Sequence, residues 1–201
     1  MKTRYAVLLV MLAAGIVSDA IAGKGSDNNG GGTGGIPPLV GQYAGTIQGS
    51  FAVCLNPSNP SVGESCSTAG ALVVPLNFLA NGITTFDEKG NGCGTYTEVD
   101  TPLPPNASTP TVTANEHPVV TSLNYDPTTG TGDASFIVYI GGSCTGATFD
   151  STGATQISTG TDHFNVSQNG NRSDFIFTKL SVPVGSFSIS GTFLRQTTPE
   201  S

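Results

Sequence analysis

The sequence predicts an all-β protein, an antiparallel meander of about eight to ten strands, and three observations predict it. Gln42 to Val53 alternates strictly, with Tyr43, Gly45, Ile47, Gly49, Phe51 and Val53 on one face and Gln42, Ala44, Thr46, Gln48, Ser50 and Ala52 on the other. The same period of two returns near the C-terminus, where Phe187, Ile189, Gly191 and Phe193 alternate with Ser186, Ser188, Ser190 and Thr192. A side chain that recurs every second residue shares one face of a strand. Third, only 10% of residues are charged, against about a quarter in ordinary globular domains. Long amphipathic helices lack the Glu, Lys and Arg they need.

Between these two strands, β-rich runs occupy Leu72–Leu79, Ile83–Phe86, Cys93–Val99, Val119–Tyr125, Ala134–Ile140, Thr145–Phe149, His163–Ser167 and Phe175–Val182. An aromatic-Asp-x-x-Gly pattern at Phe86 to Gly90 and Phe149 to Gly153, one residue longer at Tyr125 to Gly130, supplies hairpin turns. The Asp side chain bonds its own backbone, and Gly accepts the positive φ that closes the turn. Asn81-Gly82 and Asn169-Gly170 read as two more turns. The Pro-rich stretch Thr101 to Pro118 reads as one long surface loop. Pro75 argues against a regular central strand unless it marks a bulge or an edge. Consecutive hairpins of this number form a sandwich or close on themselves. Gly45, Gly49 and Gly191, placed between large apolar residues on the inward face, favour a closed barrel over a sandwich.

The first 22 residues read as a secretory signal peptide: Lys2 and Arg4, an apolar run from Ala6 to Val17, and an Ala20-Ile21-Ala22 ending. The run is too short to span a bilayer. Residues 23–35, rich in Gly, Asn and Ser, read as a flexible leader, and residues 36–201 as a single domain. Without residues 1–22, which carry Lys2, Arg4 and Asp19, the 7 basic and 14 acidic residues fall to 5 and 13, a formal charge of −8. That charge argues against nucleic acid and anionic lipid as partners. The expected location is periplasmic or extracellular, with cleavage after Ala22 and no membrane span.

Cys54, Cys66, Cys93 and Cys144 are even in number and follow the export signal, so two disulfides are expected. Of the three pairings, Cys54–Cys66 with Cys93–Cys144 is preferred, because the first closes a short Asn- and Pro-containing loop between two strands. No C-x-x-C pair or nearby His suggests a metal site.

Gly41-x-Tyr43 at the start of the first strand, Thr161-Asp162-His163 before the late strands and Arg195 at the end of the last fall in the order of the short lipocalin signatures. The chain resembles a lipocalin-type (calycin) barrel, with Tyr43 where that family has tryptophan and His163 in place of its aromatic. The resemblance implies that these positions close the base of the barrel, and that the interior holds a ligand cavity.

Chemistry is sparse. His117 and His163 are the only histidines. His117 falls in the Pro-rich loop, and Asp162 and His163, adjacent on a strand, point to opposite faces, so no Ser/His/Asp triad is legible. Gly141 to Gly146 fails the G-x-S-x-G elbow because Thr145 stands at the last glycine, leaving Ser143 without context. Asp87, Glu88, Glu98 and Asp100 are the carboxylates available for paired acid/base work on a sugar, and all four read as solvated charges. Asp87, Asn91, Asp126 and Asp133 are turn oxygens that do not match a calcium loop. No phosphate-binding glycine motif is present, and no cofactor is expected. Sequons at Asn106, Asn165 and Asn171 matter only in a eukaryotic source, whereas leader and composition are bacterial in character. The leading expectation is a secreted, disulfide-stabilised barrel that binds a small apolar ligand. The alternative is a structural or protein-interaction module acting at the cell surface or in the medium, without catalytic activity.

Overall fold

A computed structural model describes residues 35–103, 112–181 and 184–196. The expected signal peptide and, apart from Gly35, the leader lie outside the described residues, as do residues 104–111 of the Pro-rich stretch.

The strands are β1 (Gly41–Asn56), β2 (Asn59–Gly63), β3 (Leu72–Phe86), β4 (Gly92–Pro102), β5 (Val112–Asp126), β6 (Thr131–Ile140), β7 (Ser143–Thr145), β8 (Thr148–Asp150), β9 (Thr155–Val166), β10 (Arg172–Leu180) and β11 (Val184–Arg195). Eight of them, in the order β1-β3-β4-β5-β6-β9-β10-β11, form an antiparallel meander, and β11 pairs back onto β1 to close it. Closure is extensive: the pairing runs from Tyr43↔Arg195 to Val53↔Val184, so neither end of the sheet is left as an edge. Two hairpins stand outside the ring, β2 folded onto the end of β1 and β7 paired with β8.

Alternation sorts the residues. Ile47, Phe51, Leu76, Phe78, Phe136, Val138, Phe175 and Ile189 point inward and are buried, while Thr46, Gln48, Asn77, Thr95, Thr97 and Ser190 are exposed on the outer wall. Inward glycines let the aromatics in. Gly82 and Gly45 both flank Tyr96, whose ring would be struck by a Cβ at either position, and Gly191 stands in the same relation to Phe175.

Several expected boundaries move. Asn81-Gly82 is no turn: β3 runs straight through it, because Gly82 lies opposite Tyr96 in the β3–β4 ladder and accommodates its ring. The loop expected over 101–118 shrinks at both ends, since β4 runs to Pro102 and β5 begins at Val112. Pro118 fits within β5 because its ring rests on Gly94, and the β4–β5 ladder bridges Cys93↔Val119 and Tyr96↔Glu116 on either side. Pro75 sits in β3 just past the end of the β4 ladder, where the Leu103 N–H donates to its carbonyl at 2.9 Å and no bond from its own nitrogen is needed. The run at Thr145–Phe149 is the small β7–β8 hairpin, and the late strand begins at Thr155, not at His163.

The disulfides are Cys54–Cys66 and Cys93–Cys144. The first ties the β2–β3 connection to β1, and the second ties the β7–β8 hairpin to the wall at β4.

Candidate functional site

The two ends of the barrel differ, and the difference follows from chain direction. One end carries the start of β1, the end of β11 and three tight turns, at 87–91, 127–130 and 167–171. Each is capped by its own polar side chains. The Asp87 carboxylate accepts from the Lys89 and Asn91 N–H groups at 2.9 and 2.8 Å and from Asn91 Nδ2 at 2.7 Å. Asp126 accepts from Thr128 N at 2.8 Å, and Asn169 Oδ1 from Asn171 N at 3.1 Å. Gly90, Gly130 and Gly170 take the positive φ that each turn requires. The oxygens weighed as calcium ligands at Asp87 and Asp126 are thus spent on turn geometry. Asp133 accepts instead from His163, with Nδ1 and Oδ1 2.9 Å apart on the outer face.

Residues 35–40 then cross this end as a strap. Ile36 N donates to Pro127 O at 2.7 Å, and the Tyr125 hydroxyl donates to Ile36 O at 2.7 Å. Leu39 is buried with the core, and the Tyr43 hydroxyl donates to Gly170 O at 2.7 Å. Arg195 pairs with Tyr43 in the ladder, and its guanidinium lies 3.8 Å from where a Cβ on Gly41 would be. Gly41, Tyr43 and Arg195 therefore do meet at a closed end. Thr161-Asp162-His163 do not: they lie in the middle of β9, with Asp162 buried inside and His163 exposed outside. Strand alternation, not base closure, sets their positions.

The opposite end carries the long connections, 57–71 with Cys66 and 141–154 with the β7–β8 hairpin, beside the end of β4 and the start of β5. Below it, on the inner wall, lies the one unexpected cluster. Glu98 and Asp100 on β4 and Glu116 on β5 are 1%, 3% and 1% exposed. Their reading as solvated charges is overturned for Glu98 and Asp100, and Glu116 was not singled out at all. On β4 they share the inward face with Gly94 and Tyr96, while Thr95, Thr97 and Thr101 face out. The Glu98 carboxyl lies within hydrogen-bonding reach of both Asp100 and Glu116. Yet both Glu98 oxygens, Asp100 Oδ1 and Glu116 Oε1 find no donor. Lys89, Arg172, Lys179 and Arg195, the basic residues among those described, are all exposed and none reaches the cluster.

Burial without a counter-charge disfavours the ionised form. Burial, reinforced by the charges of Glu116 and Asp100, pushes Glu98 well above the usual carboxyl range, and burial pushes Asp100 up to about 7 and Glu116 up to about 9. A fourth acid, Asp162, is pushed well up by burial and by the Asp133 charge. With protons on them, neighbouring carboxyls donate to one another, and the orphaned oxygens gain partners. Phe51, Phe78, Phe177 and Ile189 on the other strands supply apolar side chains to the same interior.

The acids touch one another, whereas a glycosidase holds its two carboxyls about 5–9.5 Å apart across the scissile bond. Neither histidine approaches them. His117 is in β5 and not in a loop, on the outer face, 3.2 Å from Gly94 O and 3.7 Å from Cys144 Sγ, with its ring 6.0 Å from Phe149. Ser143 is exposed on β7, remote from any base in the barrel interior.

No family model, curated protein or solved structure matches the chain. The closed antiparallel barrel is therefore an architecture that the chain has in common with calycins, argued from its own strand pairing.

Proposed function

We propose that this is an exported small-ligand-binding barrel, loaded through the end that carries the long connections. One observation carries the reading: one end is sealed by three capped turns and the 35–40 strap, while the other is framed by long connections, one of them tied to β1 by Cys54–Cys66. Such asymmetry leaves one mouth, and mouths of β-barrels are a preferred place for small ligands. The two disulfides support an oxidising destination, periplasmic or extracellular, with a mature chain that begins at Gly23.

The alternative, an interaction module, has less behind it. Leu79, Ile83, Ile176 and Leu194 are exposed on neighbouring strands, but Gln48 and Ser190 separate Leu79 from Ile176 in the ladder. Apolar residues so interleaved do not make a continuous docking face.

The test is titration of the purified protein with N-phenyl-1-naphthylamine, a neutral apolar fluorophore, together with a native mass spectrum of protein recovered from its producing cells. Saturable one-to-one binding is expected, with a chain mass starting at Gly23. Absence of saturable binding would overturn the ligand-binding reading.

A further inference from the structure

We propose that the Glu98, Asp100 and Glu116 carboxyls form the head-group site for a protonated amine, so that the ligand is an organic cation with an apolar body. The inference rests on the ligand-binding reading and names the class of ligand.

Three properties of the cluster carry it. First, it is unbalanced: among the described residues the mostly apolar interior holds Glu98 in contact with both Asp100 and Glu116, and Asp162 besides, but no basic side chain. An acid cluster kept only for packing would be replaced at lower cost by apolar residues of the same volume. Second, Glu98 is buried between the Asp100 and Glu116 carboxyls, and neither of its oxygens accepts a bond from any protein N–H or hydroxyl, so the only groups that serve it are other acids. Third, the cluster is on the wall nearer the mouth: Asp100 is two residues from the end of β4, and Glu116 is four from the start of β5. An ammonium group is a compact donor of three hydrogen bonds with no acceptor of its own, which matches a site made only of acceptors. The apolar body of such a ligand would lie against Phe51, Phe78 and Phe177.

A metal ion suits the cluster less well. Among the described residues no three Asp, Glu, His or Cys side chains are disposed to hold a metal ion, and hard cations demand six or more oxygens at fixed distances. An alkylammonium needs only a charged, oxygen-lined wall.

Binding also implies a definite proton balance. Without a ligand Glu98 and its neighbours share protons; Tyr96 on β4 and Thr84 on β3 bond each other at 2.9 Å, and burial keeps the Tyr96 phenol neutral. When an ammonium enters, one carboxyl must ionise to pair with it, and its proton leaves to solvent.

The experiment uses three probes of equal length, decylamine, decanol and decanoate, with isothermal titration at pH 6, where Asp100 and Glu116 hold their protons, in two buffers of different ionisation enthalpy. Decylamine is expected to bind at least tenfold more tightly than decanol, decanoate to be excluded, and decylamine alone to release about one proton per molecule bound. Glu98→Gln and Glu116→Gln should each erase most of the amine preference and leave decanol binding in place. Equal affinity for amine and alcohol, or amine binding without proton release, would overturn the amine site while the ligand-binding reading stands. Failure of all three probes to bind would overturn both. The proton count is read on the wild-type protein, so the test holds even if a variant fails to fold.

Discussion

At the scale of single residues, the buried acids set an unusual pH dependence. An unfolded carboxyl titrates near pH 4. Asp100 at about 7 and Glu116 at about 9 keep their protons in the folded barrel well above that, because burial penalises the charge. Between the two values the folded state binds more protons than the unfolded one, so stability falls as pH rises. The contribution is complete below pH ~4, declines from there, and is gone once the pH passes about 9. The turn aspartates act in the opposite sense. Side-chain and backbone hydrogen bonds hold Asp126 and Asp150 below the usual range, so their share is present above pH ~4 and lost as pH falls through their folded values. They are fully exposed, and the interior acids dominate. The expected outcome is a thermal midpoint that peaks near pH 4–5 and declines steadily to pH 9, by about 1.4 kcal/mol of stability per pH unit for each proton released. Glu116→Gln should flatten the decline above pH 7. A midpoint that rises between pH 5 and 8 in the wild-type protein would refute the assignment of protons to the cluster.

Why the cluster escaped the sequence is also a residue-scale matter. A strand is legible over Cys93–Val99, but the charge on Glu98 and Asp100 reads as exposure. The governing neighbour was Tyr96, two residues from Glu98 and four from Asp100. Following its parity would have placed both acids inside. Glu116 was hidden differently, by prolines on both sides of it in the sequence, which made the start of β5 look like loop. Asp162 was legible only as the partner of His163, although Phe164 and Val166 share its parity.

At the scale of elements, the glycine-for-aromatic exchange decides how β1, β3 and β4 fit. Gly45 and Gly82 were legible as permissive positions, the first as a bend and the second as a turn. Their work is to leave space for one ring, and that depends on the β3–β4 register, which no local pattern encodes. Tyr96 fills this space, with its hydroxyl 2.9 Å from Thr84 Oγ1. A methyl at Gly45 would run into that hydroxyl and the Phe193 ring. Gly45→Ala is therefore expected to cost about 2–3 kcal/mol, the usual penalty for overpacking a filled core. Tyr96→Phe alone should cost about 1 kcal/mol, the net worth of a buried hydrogen bond. Combined, they should be less harmful than their sum by at least about 1 kcal/mol, because removing the hydroxyl vacates the place the new methyl needs. Denaturant unfolding of the four proteins measures this coupling. Strict additivity would mean that Tyr96 is not what Gly45 accommodates.

At the scale of the whole molecule, the barrel divides its labour between its ends. Closure itself was legible in the matched alternation of the first and last strands, because β1 and β11 carry the same inward pattern of glycine and large apolar residues. What was not legible is how Ile36 to Val40, read as the start of the single domain, pack across one end of the barrel. Their value comes from partners far along the chain: Tyr125, 89 residues away, donates to the Ile36 carbonyl, Leu39 enters the core, and Pro37 rests on Gly170. Removing the Leu39 side chain leaves a cavity, so Leu39→Ala should cost about 2–3 kcal/mol. Tyr125→Phe should cost about 1 kcal/mol through its lost bonds. Both changes loosen the strapped end, and amide exchange should quicken at the turns over 127–130 and 167–171 while the β4–β5 wall keeps its protection. Neither variant touches the mouth or the acid cluster, so affinity for N-phenyl-1-naphthylamine, measured below the lowered midpoint, should change by less than about twofold. An affinity loss as large as that of a mouth-side substitution such as Phe78→Ala would mean that ligands enter through the strapped end, and the orientation argued for the barrel would have to be reversed.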